Sequence, residues 1–259
     1  MTRFPLVCQT ITFGPDQKDH LAEVFAAVAA AGYEGIETGL RHLDHMAPDD
    51  LSALLAEHGL SLVASHMGGE LNAPAGKPEG GTVLEHAVSY LTAMGTRLLV
   101  YSGLQFEDDA QFARDFDALN RAAETALAEG VRLCYHNHDF EFKHDGRVIN
   151  AVLDDASDAL ALCPDLGWVH MGGANVVEFL ERAKRRLAAV HFKDFSTTGL
   201  DWDTVVLGEG VAPLESGAEW LIENTDGMPV MAEQDSARVP AAEAVARNAS
   251  FLRKAFANT

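Results

Sequence analysis

The stretch Cys134-Tyr135-His136-Asn137-His138-Asp139-Phe140-Glu141 brings two imidazoles and two carboxylates to the end of a short apolar run. In an extended chain, side chains alternate between faces, so His136 and His138 point to the same side. Glu141, beyond the run, can fold back towards them. Imidazoles and carboxylates in such a group can hold a metal ion or move protons. Taken alone, the two histidines read equally well as polar residues at a wet strand end. Recurrence separates the two readings: the ends of other apolar runs carry Gln9, Glu37, His66, Tyr101, Asp165, His191 with Lys193 and Asp194, and Glu233 with Asp235.

Such a set needs a scaffold that brings many strand ends to one mouth. The local order helix, glycine, strand recurs at Gly32, Gly59, Gly95 and Gly130, with spacings of 27, 36 and 35 residues, and appears again before Met228-Pro229-Val230-Met231. Strands are expected at Leu6 to Ile11, Ala159 to Leu162, Ala188 to Phe192 and after each of these five glycines, which makes eight. Helices are expected at Leu21 to Ala31, Leu51 to His58, Leu84 to Met94, Ala110 to Ala128, Val176 to Arg185 and Ala241 to Phe256. Parallel strands need crossover connections, and eight strand–helix units in about 250 residues predict a single (β/α)8 barrel of the α/β class spanning residues 1–259. The rival, an open doubly wound sheet, lacks a Gly-x-Gly-x-x-Gly after its first strand and a Walker loop. The irregular stretch Met67 to Gly80 is expected to lie over the mouth.

Asp165 and Glu233 each leave an apolar run, and an unpaired buried carboxylate is costly, so a metal or a cation partner is expected beside them. Together with His191 and Glu141 they make a candidate divalent-metal site. Oxygen-rich with one imidazole, it suits Mn²⁺ first, with Mg²⁺, Co²⁺ or Zn²⁺ as alternatives.

Composition narrows the class. With 39 Asp and Glu against 19 Lys and Arg, the formal charge of −20 repels polyanions, and the one basic cluster, Arg182 to Arg186, sits at an expected helix end. A nucleic-acid partner is not expected, nor is a membrane, because no apolar run reaches the roughly 18 residues that span a bilayer. The opening residues do not read as a signal peptide, so a cytoplasmic location is expected. Cys8, Cys134 and Cys163 lie in apolar runs without CxxC spacing and read as reduced core residues.

Over essentially its whole length the chain resembles the sugar phosphate isomerase and epimerase superfamily, the xylose-isomerase-like barrels that also include endonuclease IV. The resemblance rests on His136 to Phe142, Asp165-Leu166-Gly167-Trp168 with Gly172-Gly173, His191-Phe192-Lys193-Asp194, Gly208-Glu209-Gly210 and Glu233-Gln234-Asp235. It implies one divalent metal held by Glu, Asp, His and Glu from four strand ends, the last three being Asp165, His191 and Glu233. Many relatives have Glu-Asn-His where this chain has His136-Asn137-His138. Glu141 is therefore expected to replace the missing carboxylate while His136 faces the substrate, with His136 as ligand the alternative. Trp168 stands where many relatives carry a substrate-contacting histidine; it is expected to stack on a sugar, or else to be a core tryptophan.

A metal bridging a carbonyl and the neighbouring hydroxyl stabilises the enediolate formed when a base removes the proton between them. The expected function is a metal-dependent isomerase or epimerase of a sugar or related polyol, with His136, His138 and Lys193 catalytic and Gln9, Glu37, His66, Trp168 and Asp235 contacting substrate. The first alternative is a lyase on a keto-sugar, keto-glycoside or keto-inositol, acting through the same intermediate; the second is a non-catalytic carbohydrate-binding barrel. An abasic-site nuclease would need a basic face that this chain lacks. Homo-oligomerisation is left open.

Overall fold

The computed structural model describes residues 3–76, 80–104, 107–198 and 201–257. Ten strands occur among them: β1 (Leu6–Gln9), β2 (Gly35–Gly39), β3 (Ser61–Gly68), β4 (Leu98–Ser102), β5 (Arg132–Tyr135), β6 (Ala161–Leu162), β7 (Val190–Phe192), β8 (Asp194–Phe195), β9 (Thr204–Val205) and β10 (Val230–Ala232). Eight form one sheet in the order β6-β5-β4-β3-β2-β1-β10-β7. Every neighbouring pair is parallel. Two isolated parallel bridges, Leu162 to Leu187 and Asp165 to His191, join the ends and nearly close the barrel. The remaining two, β8 and β9, make a short antiparallel hairpin beyond β7.

The helices are α1 (Leu21–Ala30), α2 (Pro48–Glu57), α3 (Val83–Met94), α4 (Asp109–Ala128), α5 (Lys143–Asp154), α6 (Leu166–Met171), α7 (Val176–Ala183), α8 (Leu214–Asn224) and α9 (Ala241–Ala255). Their boundaries follow local chemistry. Helix α3 starts with a reciprocal Thr82–Glu85 capping box and stops at Gly95, whose φ of 71° is left-handed backbone that glycine adopts without steric cost. Gly32, Gly59 and Gly130 end their helices with the same backbone, which is why the repeated glycine reported the strand that follows. Among the described residues no helix is long and apolar enough to cross a membrane.

Several expected boundaries shift. Strand β1 ends at Gln9 rather than Ile11, because the Gln9 side chain accepts the Ile11 amide at 2.7 Å and turns the chain into a 3₁₀ helix. Helices α5, α6 and α8 and the β8–β9 hairpin were absent from the sequence reading. Helix α6 is a six-residue turn without room for an apolar period, and α5 is interrupted near its start by left-handed backbone at His144, Asp145 and Gly146. Part of the Met67 to Gly80 stretch, including Pro78, lies outside the described residues. The basic cluster is consumed internally: Arg182 bonds Asn150 and Asp154, and the Arg186 guanidinium binds the carbonyls of Leu153, Ala156, Ser157 and Leu160 around the end of α5.

Two apolar clusters hold the fold. The larger fills the space between sheet and helices. The smaller joins Val7, Ala64, Val100, Cys134, Ala161, Cys163, Ala189 and Met231. These are inward-facing barrel residues, and all three cysteines are buried and unpaired. Alternation then fixes what comes next along each strand. Two residues beyond this layer stand Gln9, His66, Ser102, His136, Asp165, His191 and Glu233, so a packed apolar plug becomes the floor of a polar mouth in a single step.

Candidate metal centre

His136, Asp165, His191 and Glu233 are all buried and offer one donor atom each, all within 4.8 Å of one another. Asp165 is held in place from two sides. It caps α6 by accepting the Trp168 amide on Oδ1 at 2.9 Å, and its backbone is clamped by Asn137, whose side-chain amide donates to the Asp165 carbonyl and accepts from its amide. Gly167 lets α6 start there: a Cβ at this position would lie 2.2 Å from the Lys193 carbonyl. Asp165 Oδ2 and His136 Nδ1 are buried without a hydrogen-bond partner. Orphaned buried acceptors are rare in folded proteins, and two in one group fit a bound cation.

Glu37 sits beneath the group. Its carboxylate is fully buried, accepting from His191 Nε2 at 2.6 Å and from His66 Nδ1 at 3.1 Å. The contact directs the other His191 nitrogen, Nδ1, to Glu233. A carboxylate behind a ligating imidazole is the arrangement that fixes its orientation and raises its basicity. Burial by itself would depress the His191 pKa; Glu37 and Glu233 outweigh it and hold the imidazolium well above the usual histidine range. Lys193 is 1% exposed, its Nζ 3.1 Å from Glu233 Oε1, 3.1 Å from Asp235 Oδ2 and 3.8 Å from Asp165 Oδ2. Among the described residues, Glu37, Asp165, Glu233 and Asp235 thus share Lys193 and His191 as cations, with His66 a further partner of Glu37. The deficit shows at Asp165, where burial pushes the carboxyl up to about 7 although Lys193 opposes it. A divalent ion would supply the missing positive charge.

The group forms one end of a cleft of about 160 Å³ lined by Gln9, Ile11, Gln17, Gly39, Arg41, His42, His66, His136, His138, Lys193, Glu233 and Asp235. Gln9, His66, His138, Lys193 and Asp235, expected from the sequence to act on or contact substrate, all line this cleft. His66 also accepts from Ser102 Oγ at 3.0 Å on Nε2. His138 stacks on Phe140 with ring centres 5.4 Å apart, and its Nδ1 has no partner. Burial, then the Lys193 charge, lowers its pKa to about 4, so the imidazole is neutral at physiological pH.

Five residues expected at the mouth lie elsewhere. Glu141 does not join the donor group: its oxygens accept from Tyr135 Oη and the His138 amide, each at 2.8 Å, which holds the turn after β5 shut. His136, the alternative, occupies that corner. Glu37 faces His191 and His66 rather than the cleft. Trp168 lies behind His138, with ring centres 5.6 Å apart, and packs against Phe195 and Trp202 at 4.5 and 5.1 Å; it does not line the cleft. Tyr101 points to the opposite face of β4 and donates to the Gly69 carbonyl, because Ser102 is the residue in phase with inward Val100. Asp194 is structural: its carboxylate accepts from the amides of Phe195, Gly208, Gly210 and Ala212, which accounts for the Gly208-Glu209-Gly210 motif. Arg41, His42, Gln17 and Ser102 were not anticipated. The signal for the first two was present: they come two and three residues after Gly39, where β2 ends.

Glu141 supports a prediction of its own. Burial raises its pKa to about 7 even though two donors oppose the shift. The folded state therefore keeps a proton that the unfolded chain releases near 4.3. Stability from this group is full below the unfolded value and is lost as pH rises through 7, by about 4 kcal/mol. Comparing wild type with Glu141→Gln by denaturant unfolding from pH 4.5 to 8, the difference should move by that amount in favour of the variant as pH rises. A pH-independent difference contradicts the buried titration.

Residues 25–255 match the model of the xylose isomerase-like TIM barrel family. The chain belongs to that family. Among curated proteins, an inosose dehydratase of Geobacillus kaustophilus is 25% identical over 200 residues, covering 70% of this chain and 64% of that protein, so the match spans less than two thirds of the relative. Among solved structures of this fold, a sugar phosphate isomerase/epimerase from Parabacteroides distasonis superposes with a TM-score of 0.78 at 20% identity, covering 98% of this chain and 94% of that one. The IolI protein, solved with a bound zinc atom, superposes at 0.73 and 18% identity over 98% of each chain. The xylose isomerase-like family thus contains both isomerase/epimerase and dehydratase neighbours around one barrel.

Proposed function

We propose that this chain is a divalent-metal-dependent isomerase or epimerase that moves the proton beside the carbonyl of a small polyhydroxylated ketone or aldose. The observation that carries the reading is the buried His136, Asp165, His191 and Glu233 donor group, which reaches a small cleft through His136 and Glu233 beside His66, His138 and Lys193. Two imidazoles and two carboxylates make a more nitrogen-rich set than the sequence suggested, which puts Mn²⁺, Co²⁺ and Zn²⁺ ahead of Mg²⁺; the zinc of IolI agrees. When bound, the ion would stabilise negative charge developing on the substrate's carbonyl and hydroxyl oxygens.

The chain's own residues supply the rest. His138, neutral and at the cleft surface, is the base that takes the carbon-bound proton. Lys193 is held protonated by Glu233, Asp165 and Asp235 against the effect of its burial, so it donates hydrogen bonds and positive charge to a substrate oxygen rather than shuttling a proton. Gln9 and Asp235, which line the cleft, would bind substrate hydroxyls.

A second reading, elimination of water from a keto-sugar or keto-inositol, is favoured by the dehydratase relative. It uses the same proton abstraction and differs in the loss of the β-hydroxyl. A panel of ketoses, aldoses and keto-inositols, incubated with Mn²⁺-loaded protein in D₂O and followed by NMR, separates the two. Deuterium next to the carbonyl with unchanged mass, apart from the label, means isomerase or epimerase, and loss of one water means lyase. His138→Ala should slow the exchange about 10²-fold or more. Turnover with full retention of the original hydrogen rejects proton transfer in favour of a hydride shift.

A further inference from the structure

At the cleft wall formed by the end of β2, the chain places a cation that the protein itself does not use. Arg41 is exposed, and among the described residues it has neither a hydrogen bond nor an ion pair. Arg121, Arg147, Arg182, Arg238 and Arg247, by contrast, all sit on carboxylates. Its neighbour His42 is 4% exposed, and its Nδ1 is buried without a partner. Both residues line the cleft that ends at the metal-donor group. Gly39 makes the arrangement possible: a Cβ there would lie 3.2 Å from the Arg41 guanidinium and 3.3 Å from the His42 ring. Lys18 and His45 add positive potential around His42. Across the same cleft Lys193 is already paired with Glu233 and Asp235.

We propose that Arg41 and His42 form an anion subsite, so that the substrate is an acidic sugar whose carboxylate or phosphate lies at the β2 corner while its hydroxy-carbonyl end lies over His136 and Glu233. This rests on the enzyme reading above and adds the substrate class to it. The guanidinium is a planar fork suited to two parallel hydrogen bonds with either oxyanion, and His42 supplies a further N–H from a site already shielded from water. A cation kept free in a chain of net charge −20 also selects orientation, because the rest of the surface repels the same anion.

The test uses three ketoses that share one hydroxy-ketone end and differ at the far carbon: D-fructose, D-fructuronate and D-fructose 6-phosphate. Each is titrated calorimetrically into metal-loaded wild type, Arg41→Met and Arg41→Lys, with metal content measured on the same samples. In wild type at least one acidic ketose should bind about tenfold or more tightly than D-fructose, and which one does so distinguishes carboxylate from phosphate. Arg41→Met should erase that preference and leave D-fructose unchanged, and Arg41→Lys should retain part of it. Equal binding of all three sugars, no measurable binding of either acidic ketose, or a preference that survives Arg41→Met overturns the subsite. Protein without stoichiometric metal refutes the enzyme reading instead, and the Arg41 comparison still decides the anion question.

Discussion

His136→Ala is expected to lose its metal and Glu141→Ala to keep it. The donor group contains the His136 imidazole, whereas both Glu141 oxygens are committed to Tyr135 and the His138 amide. Removing a direct donor should weaken binding by more than the roughly 10- to 100-fold that loss of an outer partner costs. Asp165→Asn and Glu233→Gln should behave like His136→Ala, and Glu37→Gln, which loosens His191 from behind, should fall within the outer-partner range. Metal content after dialysis, with dissociation constants from competition against a chelator, reads all five variants without relying on turnover. Thermal stabilisation on adding Mn²⁺ should disappear in the direct-donor variants, since an ion that binds only the folded state stabilises it by mass action. Full occupancy in His136→Ala together with loss in Glu141→Ala would restore the ligand set first expected from the sequence.

That contrast shows where the sequence was legible. An apolar run followed at even spacing by a polar residue is a statement about one strand face, and it located His66, His136, His191 and Glu233 because each continues an inward line through Ala64, Cys134, Ala189 and Met231. The barrel was legible for a related reason: left-handed glycines mark helix ends, and their recurrence counts the units. The same rule misplaced Tyr101, one residue out of phase with Val100, where Ser102 was the inward position. Glu141 and Asp194 lie outside strand periodicity altogether. Their oxygens are claimed by backbone amides of turns and, for Glu141, also by the Tyr135 hydroxyl, contacts that no alternation encodes, and a carboxylate that closes a turn looks the same in sequence as one that binds an ion. Arg41 escaped notice for the converse reason: it stands at a strand end, but its meaning depends on the absence of a partner, which only the folded chain displays.

The second large effect is expected at Lys193. Its ammonium is enclosed by Asp165, Glu233 and Asp235 and lies 5.3 Å above the Trp168 ring, almost entirely out of water. Lys193→Met preserves most of the side-chain volume and removes the charge, leaving buried Asp165 and Glu233, beside the more exposed Asp235, with His191 as the remaining cation. Stripping one partner from a buried ion pair costs about 3–5 kcal/mol, because the charge left behind has lost its hydration and gained nothing in return. The deficit should depend on pH with a definite sign. Burial already raises the Asp165 and Asp235 pKa values in the wild type, and without Lys193 they rise further. The folded variant then binds protons that its unfolded chain has released, so its shortfall is largest at pH 8 and shrinks as pH falls through 7. Mn²⁺ should repair it by the same electrostatic route, restoring positive charge to the carboxylates that Lys193 had served. Denaturant unfolding of both proteins at pH 8 and pH 5.5, with and without Mn²⁺, gives four comparisons. Equal stability of variant and wild type at pH 8 without metal would show that the carboxylates do not need Lys193, and with it would fall the electrostatic account of why an ion belongs in this cleft.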